Sequence, residues 1–328
     1  MISFYETPSK VAHMRNTNKS DYSRHCLILL FALIAETFSP QATICFAQSR
    51  AEQDFRQAAR LFNAKKGLQA RDILTRMAKD PRAHPKVLCL LADTYMAEEA
   101  DIKPEHLKLA REYAQRAIKM DPEWGNAWKI LAQTDNEEEK YAEALTLANR
   151  ALSVKKMDPR AYLQRTFAYQ GLKRPEDALK DITIYTDKYV PRESDMHNLK
   201  GQILCALKRY DDAIAAFRTS QKIAYSDWTA HRIIEQLEIL GRHQEALAEA
   251  NNLILHCPKD ADSYQIRAQI YGKLNQTIPA INDYTKAISL EPAPNYYKQR
   301  AVLLKKIGKT REAEADLKHA ETTRDFGF

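Results

Sequence analysis

From about residue 50 onward, apolar residues recur three and four positions apart, as in Ile266, Ile270 and Leu274 or Leu247, Ala250, Leu253 and Ile254. That spacing puts one apolar stripe on a helix. Short breaks interrupt it at regular intervals. Ala70, Ala110, Ala144, Ala178, Ala213, Ala246, Ala280 and Ala313 follow one another at 40, 34, 34, 35, 33, 34 and 33 residues. Twelve residues before all but Ala110 stands a second recurring position: Ala58, Ala132, Thr166, Gly201, Ile234, Ala268 and Ala301. Five of these seven are Gly or Ala, and two antiparallel helices approach closely only where both present small side chains. Gly171, Gly241 and Gly308 fall where a first helix should end and reverse. Pro104, Pro175 and Pro279 stand at the start of second helices, where a missing N–H costs nothing. The pattern predicts an all-α chain of about eight antiparallel helix pairs.

In this frame the residues resemble the tetratricopeptide repeat family. Trp128, Leu131, Ala132 and Ala144 match its pattern in part; Tyr264, Ala268, Tyr271, Ala280, Tyr284, Ala287 and Pro292 match it almost throughout. Gly201, Ala213 and Phe217 carry it in a fifth unit. The resemblance implies a right-handed superhelical solenoid over residues 48–324. Its units fall near 51–84, 85–124, 125–158, 159–193, 194–226, 227–260, 261–293 and 294–324, followed by a short tail, 325–328. Six extra residues within 97–104 lengthen the turn of the second unit. The first unit is the least regular, as expected of a terminal repeat that covers only one neighbour.

Arg165, Arg267 and Arg300 each precede the small site of a first helix, and the same three units carry Asp181, Asp283 and Asp316 sixteen residues later. The fifth unit has Lys200 and Ala216 there, and the sixth Ile233 and Glu249. Residues that come and go together across two helices are expected to touch, so these are read as structural ion pairs within each helix pair.

The resemblance also implies where a ligand would lie, because in this family the first helices line the concave face. Carried over by position, that face offers Asn126, Lys129 and Gln133 in the third unit and Arg160, Leu163 and Phe167 in the fourth. Asn198 and Gln202, His231 and Glu235, Gln265 and Gln269, and then Lys298 continue it. The face is rich in side-chain amides, which donate to and accept from a peptide backbone or sugar hydroxyls without requiring a charge. Leu163 and Phe167, four apart, form an apolar interruption expected to anchor a ligand.

Residues 1–47 differ from the rest. Arg15, Lys19 and Arg24 precede an apolar run at 26–35 (CLILLFALIA), and Cys45 and Ala47 stand three and one before a possible cut ahead of Gln48. This is the layout of a secretory signal, with a retained N-terminal anchor as the alternative. The run is short of the roughly 20 apolar residues of a spanning helix. Export to the periplasm or the extracellular space is expected, with membrane contact only if the segment is retained. The net charge of +7 is small for a chain with 50 basic and 43 acidic residues, and no basic stripe points to nucleic acid. No cysteine or histidine spacing suggests a metal site, no glycine cluster a phosphate loop, and no triad a nucleophile. A non-enzymatic protein-binding scaffold without cofactor is therefore expected, with a protein or peptide as partner and a glycan or cell-wall ligand as the alternative.

Overall fold

In the computed structural model, residues 40–97 and 102–322 are described. The expected signal core at 26–35, residues 98–101 of the 97–104 insertion and the tail at 325–328 lie outside them. Sixteen helices occupy the described residues, joined by short turns. The chain divides into two compact units, residues 1–83 and 84–328.

The first unit holds α1 (Pro40–Asn63) and α2 (Gly67–Ala78), which pack on each other. α1 starts before residue 48, so the expected cut falls within a helix. Ala58 and Ala70, the paired small positions, are both fully buried.

The second unit contains seven helix pairs. Its first helices are α3 (Pro85–Met96), α5 (Gly125–Glu137), α7 (Arg160–Gly171), α9 (Ser194–Ala206), α11 (Asp227–Ile239), α13 (Ala261–Lys273) and α15 (Pro294–Lys306). Each is followed by its second helix: α4 (Pro104–Met120), α6 (Tyr141–Ser153), α8 (Pro175–Lys188), α10 (Tyr210–Ile223), α12 (His243–His256), α14 (Thr277–Leu290) and α16 (Thr310–Thr322). Consecutive helices pack on one another along the whole series. This is a tetratricopeptide-like solenoid, in which each pair buries its apolar stripe against itself and its neighbours. The small residues do what their spacing requires. Ala110, Ala144, Ala178, Ala213, Ala246, Ala280 and Ala313 are all fully buried. A Cβ built on Gly201 would lie 2.5 Å from the Phe217 ring, so the large aromatic of α10 fits only because α9 has no side chain there.

Seven turns between first and second helices, all but that of the second unit, share one backbone solution. A residue with positive φ sits at Lys65, Glu139, Lys173, Lys208, Gly241, Asn275 and Gly308. After each, an N–H closes on the carbonyl five residues back, as from Arg209 to Leu204 (2.9 Å) and from Arg242 to Leu237 (2.8 Å). This is the Schellman closure, which satisfies carbonyls that the helix end leaves open. Gly241 and Gly308 fill the position as expected. Gly171 does not: it ends α7, and Lys173 takes the left-handed conformation. Gly171 has a packing role instead, since a Cβ there would fall 2.4 Å from the Tyr141 ring of α6.

Candidate binding groove

Within the second unit, α3 touches α5 and α5 touches α7, so these first helices form a closely packed layer. The residues predicted to line a ligand lie on these and the later first helices at equivalent repeat positions, but they are not equally available. From the fourth unit onward these positions are open: Gln202, Glu235, Gln269 and Lys298 are exposed, and Asn198, His231 and Gln265 are half-buried. Phe167 is 38% exposed and Trp228 40%, high values for large apolar side chains. In the third unit Asn126 and Gln133 are half-buried, and Lys129 is only 2% exposed.

Lys129, expected as a groove contact, belongs instead to an ion network whose inner pair with Asp93 is buried and whose outer member, Arg160, stays exposed. Its Nζ donates to Asp93 Oδ1 on α3 (2.7 Å), and Asp93 also takes Arg160 Nη1 at 3.4 Å. Arg160 further donates from Nη2 to Asp158 Oδ2 at 2.7 Å. Two cations and two carboxylates thus link three successive units. Burial alone would lower the Arg160 pKa, but the Asp158 and Asp93 carboxylates outweigh it and hold the guanidinium above its ordinary range. Burial would raise Asp158, yet its bonds with Arg160 hold it below the usual carboxylate range. One turn before Asp93, Cys89 is fully buried, and desolvation, reinforced by Asp93, pushes its thiol far up. The predicted lining at the third unit is closed by these pairs because neighbouring first helices lie against each other there.

Leu163 also departs from expectation. It is half-buried and packs against the cluster of Ala178, Ile182, Tyr185 and Ile203, contributed by α8 and α9. Four positions apart on a helix is a coarse bearing, and the second helix claims Leu163 while leaving Phe167 to solvent. Polar groups fix the rest of these helices. Asn136 Nδ2 donates to the Gln164 carbonyl (2.8 Å), Thr229 Oγ1 to Asn198 Oδ1 (3.2 Å) and the Tyr296 hydroxyl to Asp262 Oδ1 (2.7 Å). Glu235 pairs with Arg232 at 2.8 Å, and Glu238 is bonded by both Lys273 and His243. Among the described residues, the buried amide oxygens of Asn126 and Asn136 accept no hydrogen bond.

The three arginine–aspartate pairs meet as forks. Arg165 Nε and Nη2 donate to the two Asp181 oxygens at 2.6 and 2.7 Å. Arg267 reaches Asp283 at 2.8 and 2.7 Å, and Arg300 reaches Asp316 at 2.8 and 2.7 Å. The bond to its aspartate is the main reason each guanidinium is held above its ordinary pKa, against the opposing effect of burial. Each Arg Nη1 also bonds the second helix of the preceding unit: Asn149 (2.7 Å), Asn251 (2.9 Å) or Thr285 (2.9 Å). Each guanidinium lies over a tyrosine three residues earlier, Tyr162 at 5.5 Å and Tyr264 and Tyr297 at 5.8 Å. The third partner was not foreseen from sequence, although a signal exists. Asn149, Asn251 and Thr285 all stand five residues after the small Ala of their helices.

Among the described residues no group of three or more His, Cys, Asp or Glu is placed to hold a metal ion. Cys89, Cys205 and Cys257 are free thiols. No described helix is long and apolar enough to cross a membrane.

Residues 168–227 and 261–294 match tetratricopeptide repeat family profiles. No curated protein matches the chain. Among solved structures it is similar to IFIT1, a monomeric mutant with Gppp-AAAA, at 16% identity and a TM-score of 0.51, covering 85% of this chain and 74% of that one. It is also similar to a tetratricopeptide repeat protein from Parabacteroides merdae (21% identity, 73% and 92% covered, TM-score 0.45). A third is YrrB, "a TPR protein with an unusual peptide-binding site" (17% identity, 56% and 94% covered, TM-score 0.48). At these identities the likeness concerns the fold. With two stretches matching the family, and the same small-residue frame, left-handed turn and arginine fork recurring outside them, the chain is a tetratricopeptide repeat protein.

Proposed function

We propose that this protein is a non-enzymatic scaffold that holds an extended peptide or protein segment along its first-helix face, outside the cytoplasm. The observation that carries the reading is the exposure of Phe167, with side-chain amides able to bond a backbone at the register-equivalent positions of the next unit, Asn198 and Gln202. An apolar anchor ringed by such groups is the arrangement of a binding hot spot. The burial of Lys129 against Asp93 moves the working stretch toward the fourth unit and those after it. A glycan in the same groove is the weaker reading. Sugars stack on free aromatic faces, and Trp228 has Arg232 over its ring at 5.4 Å and the edge of Phe217 at 6.1 Å.

Phe167→Ala separates anchor from core. As an anchor, its loss leaves the melting temperature nearly unchanged and weakens peptides selected from an array by roughly 2 kcal/mol or more. A large melting drop, of the size of a core Phe→Ala change at roughly 3–5 kcal/mol, would sink the proposal. The location rests on the basic flank, apolar run and small-residue exit in residues 1–47. N-terminal sequencing of the protein from its native host should read Gln48 first; an intact Met1 or Met14 would count against export.

A further inference from the structure

Consecutive helix pairs of the second compact unit are joined by apolar packing and, at all junctions but one, by close polar bonds between helices. Arg111 on α4 reaches Asp135 on α5 at 2.7 Å, tying the third unit to the second. Arg165 ties the fourth unit to Asn149 of the third at 2.7 Å, Arg267 the seventh to Asn251 of the sixth at 2.9 Å, and Arg300 the eighth to Thr285 of the seventh at 2.9 Å. The sixth unit has no fork, yet Gln221 Nε2 on α10 donates to Glu249 Oε1 on α12 at 2.8 Å.

The junction of the fourth and fifth units is the exception. Its fork positions hold Thr183 on α8, Lys200 on α9 and Ala216 on α10, so no arginine and no carboxylate bridge the three helices. Among the described residues its polar ties are Lys200 Nζ to Asp187 Oδ1 at 3.4 Å and His197 Nε2 to the Pro191 carbonyl at 3.1 Å. The first is long and falls on an aspartate 62% exposed, where water competes for the carboxylate. The second holds the connecting loop, not a helix. Neither involves α10. What closes the junction is apolar: Ile182 and Tyr185 of α8 pack with Ile203 of α9. Hydrophobic contact has no preferred direction, whereas hydrogen bonds fix distance and angle. Packed helices free of such bonds can slide on one another, which is the shear class of motion.

There is also room to slide. A cleft of about 820 Å³ lies along the second-helix layer at this junction, lined by Thr183 and Ile184 of α8 and by Ala215 and Thr219 of α10. The eighth unit has a cleft too, of about 530 Å³, but Arg300 and Asp316 line it, and their fork bridges its helices. A cleft with a fork across it is held at one width; the cleft at the fifth unit is not.

We propose that the junction of the fourth and fifth units is a shear joint. The second to fourth units and the fifth to eighth units each move as one tied block, and α8 slides against α9 and α10 between them. Phe167 stands on the first block and Asn198 and Gln202 on the second, so the joint sets the span between the apolar side chain and the amides. The joint itself does not depend on the peptide-binding reading.

Double electron–electron resonance on the full chain tests this, with spin labels carried by genetically encoded p-acetylphenylalanine so that the cysteines stay untouched. One label pair, at Thr146 and Ala248, spans the third to sixth units and crosses the joint; the control pair, at Ala215 and Ala315, spans the fifth to eighth. All four positions are exposed and stand two residues after the small Ala of their helices. The distance distribution of the first pair should be at least about 1.5 times as broad as that of the control. Lys200→Arg with Ala216→Asp restores the fork beside Thr183 and should narrow the first distribution to the control's width, with the melting temperature unchanged or raised. Should that variant fail to fold, Asp187→Ala, a change at an exposed side chain that removes the ion pair of α8 with α9, must broaden the first distribution and leave the control as it was. Equal widths in the natural protein, a folded fork variant as broad as before, or no broadening by Asp187→Ala overturns the proposal.

Discussion

Lys129 shows how a single position can be read correctly as to helix face and wrongly as to role. It lies at a predicted lining position of a first helix, yet it is buried, and its ammonium is held by Asp93 at 2.7 Å. Removing one member of such a pair leaves the other buried without its match. Lys129→Ala should therefore cost about 3–5 kcal/mol in urea unfolding. Replacing both charges, as Lys129→Met with Asp93→Leu, should recover most of that loss. A cost below about 1 kcal/mol for the single change, typical of an exposed pair, would show that the pair is not buried in solution. Nothing in the residue spacing distinguished Lys129 from Lys298, which occupies the same place in the eighth unit and is exposed. The difference arises because α5 lies directly against α3 and α7.

At the scale of the helix, the arginine fork joins three elements rather than two. In the seventh unit Arg267 on α13 grips Asp283 on α14 and also Asn251 on α12. Arg267 is about 20% exposed and Asp283 about 7%, so the pair is poorly screened. Arg267→Ala and Asp283→Ala should each cost more than the roughly 1 kcal/mol of an exposed pair, and the double variant less than their sum. Asn251→Ala should cost less than either, because it removes one neutral acceptor, and it should also be non-additive with Arg267→Ala. Strict additivity in a denaturation cycle would show that the contacts do not persist. The aspartate was legible because Arg and Asp vary together across units. The acceptor on the preceding helix was not, because Asn and Thr serve equally and only the hydrogen bond unites them.

At the scale of the whole molecule, several carboxylates among the described residues are held below their ordinary range by basic partners. Burial would raise Asp158 and Glu238, but bonds from Arg160 to the first and from Lys273 and His243 to the second prevail. Bonds from Lys156 and Lys140 do the same for Asp121 and Glu138. A carboxylate whose pKa is lower folded than unfolded adds stability above its unfolded value and loses it as pH falls through its folded value. The melting temperature should thus hold near neutrality and fall progressively once pH drops below about 4, where free carboxylates protonate. Salt should reduce the share from exposed pairs such as Asp121–Lys156 more than that from Asp158. Asp158→Asn should lower stability at neutral pH and make the acid loss shallower. A pH profile parallel to that of the natural protein would show that Asp158 does not contribute in this way.

The sequence by itself determined the repeat: where helices begin and end, which small residues meet, and which arginines carry an aspartate. Each of these follows from short-range steric and periodic rules that every unit obeys separately. The tertiary structure decided which of the equivalent positions are available. Lys129 is closed in, Leu163 is claimed by the α8–α9 cluster, and Phe167 is left to solvent. Those outcomes depend on how closely each helix approaches the next unit, and that distance is set by the side chains of both units together, which no single repeat encodes.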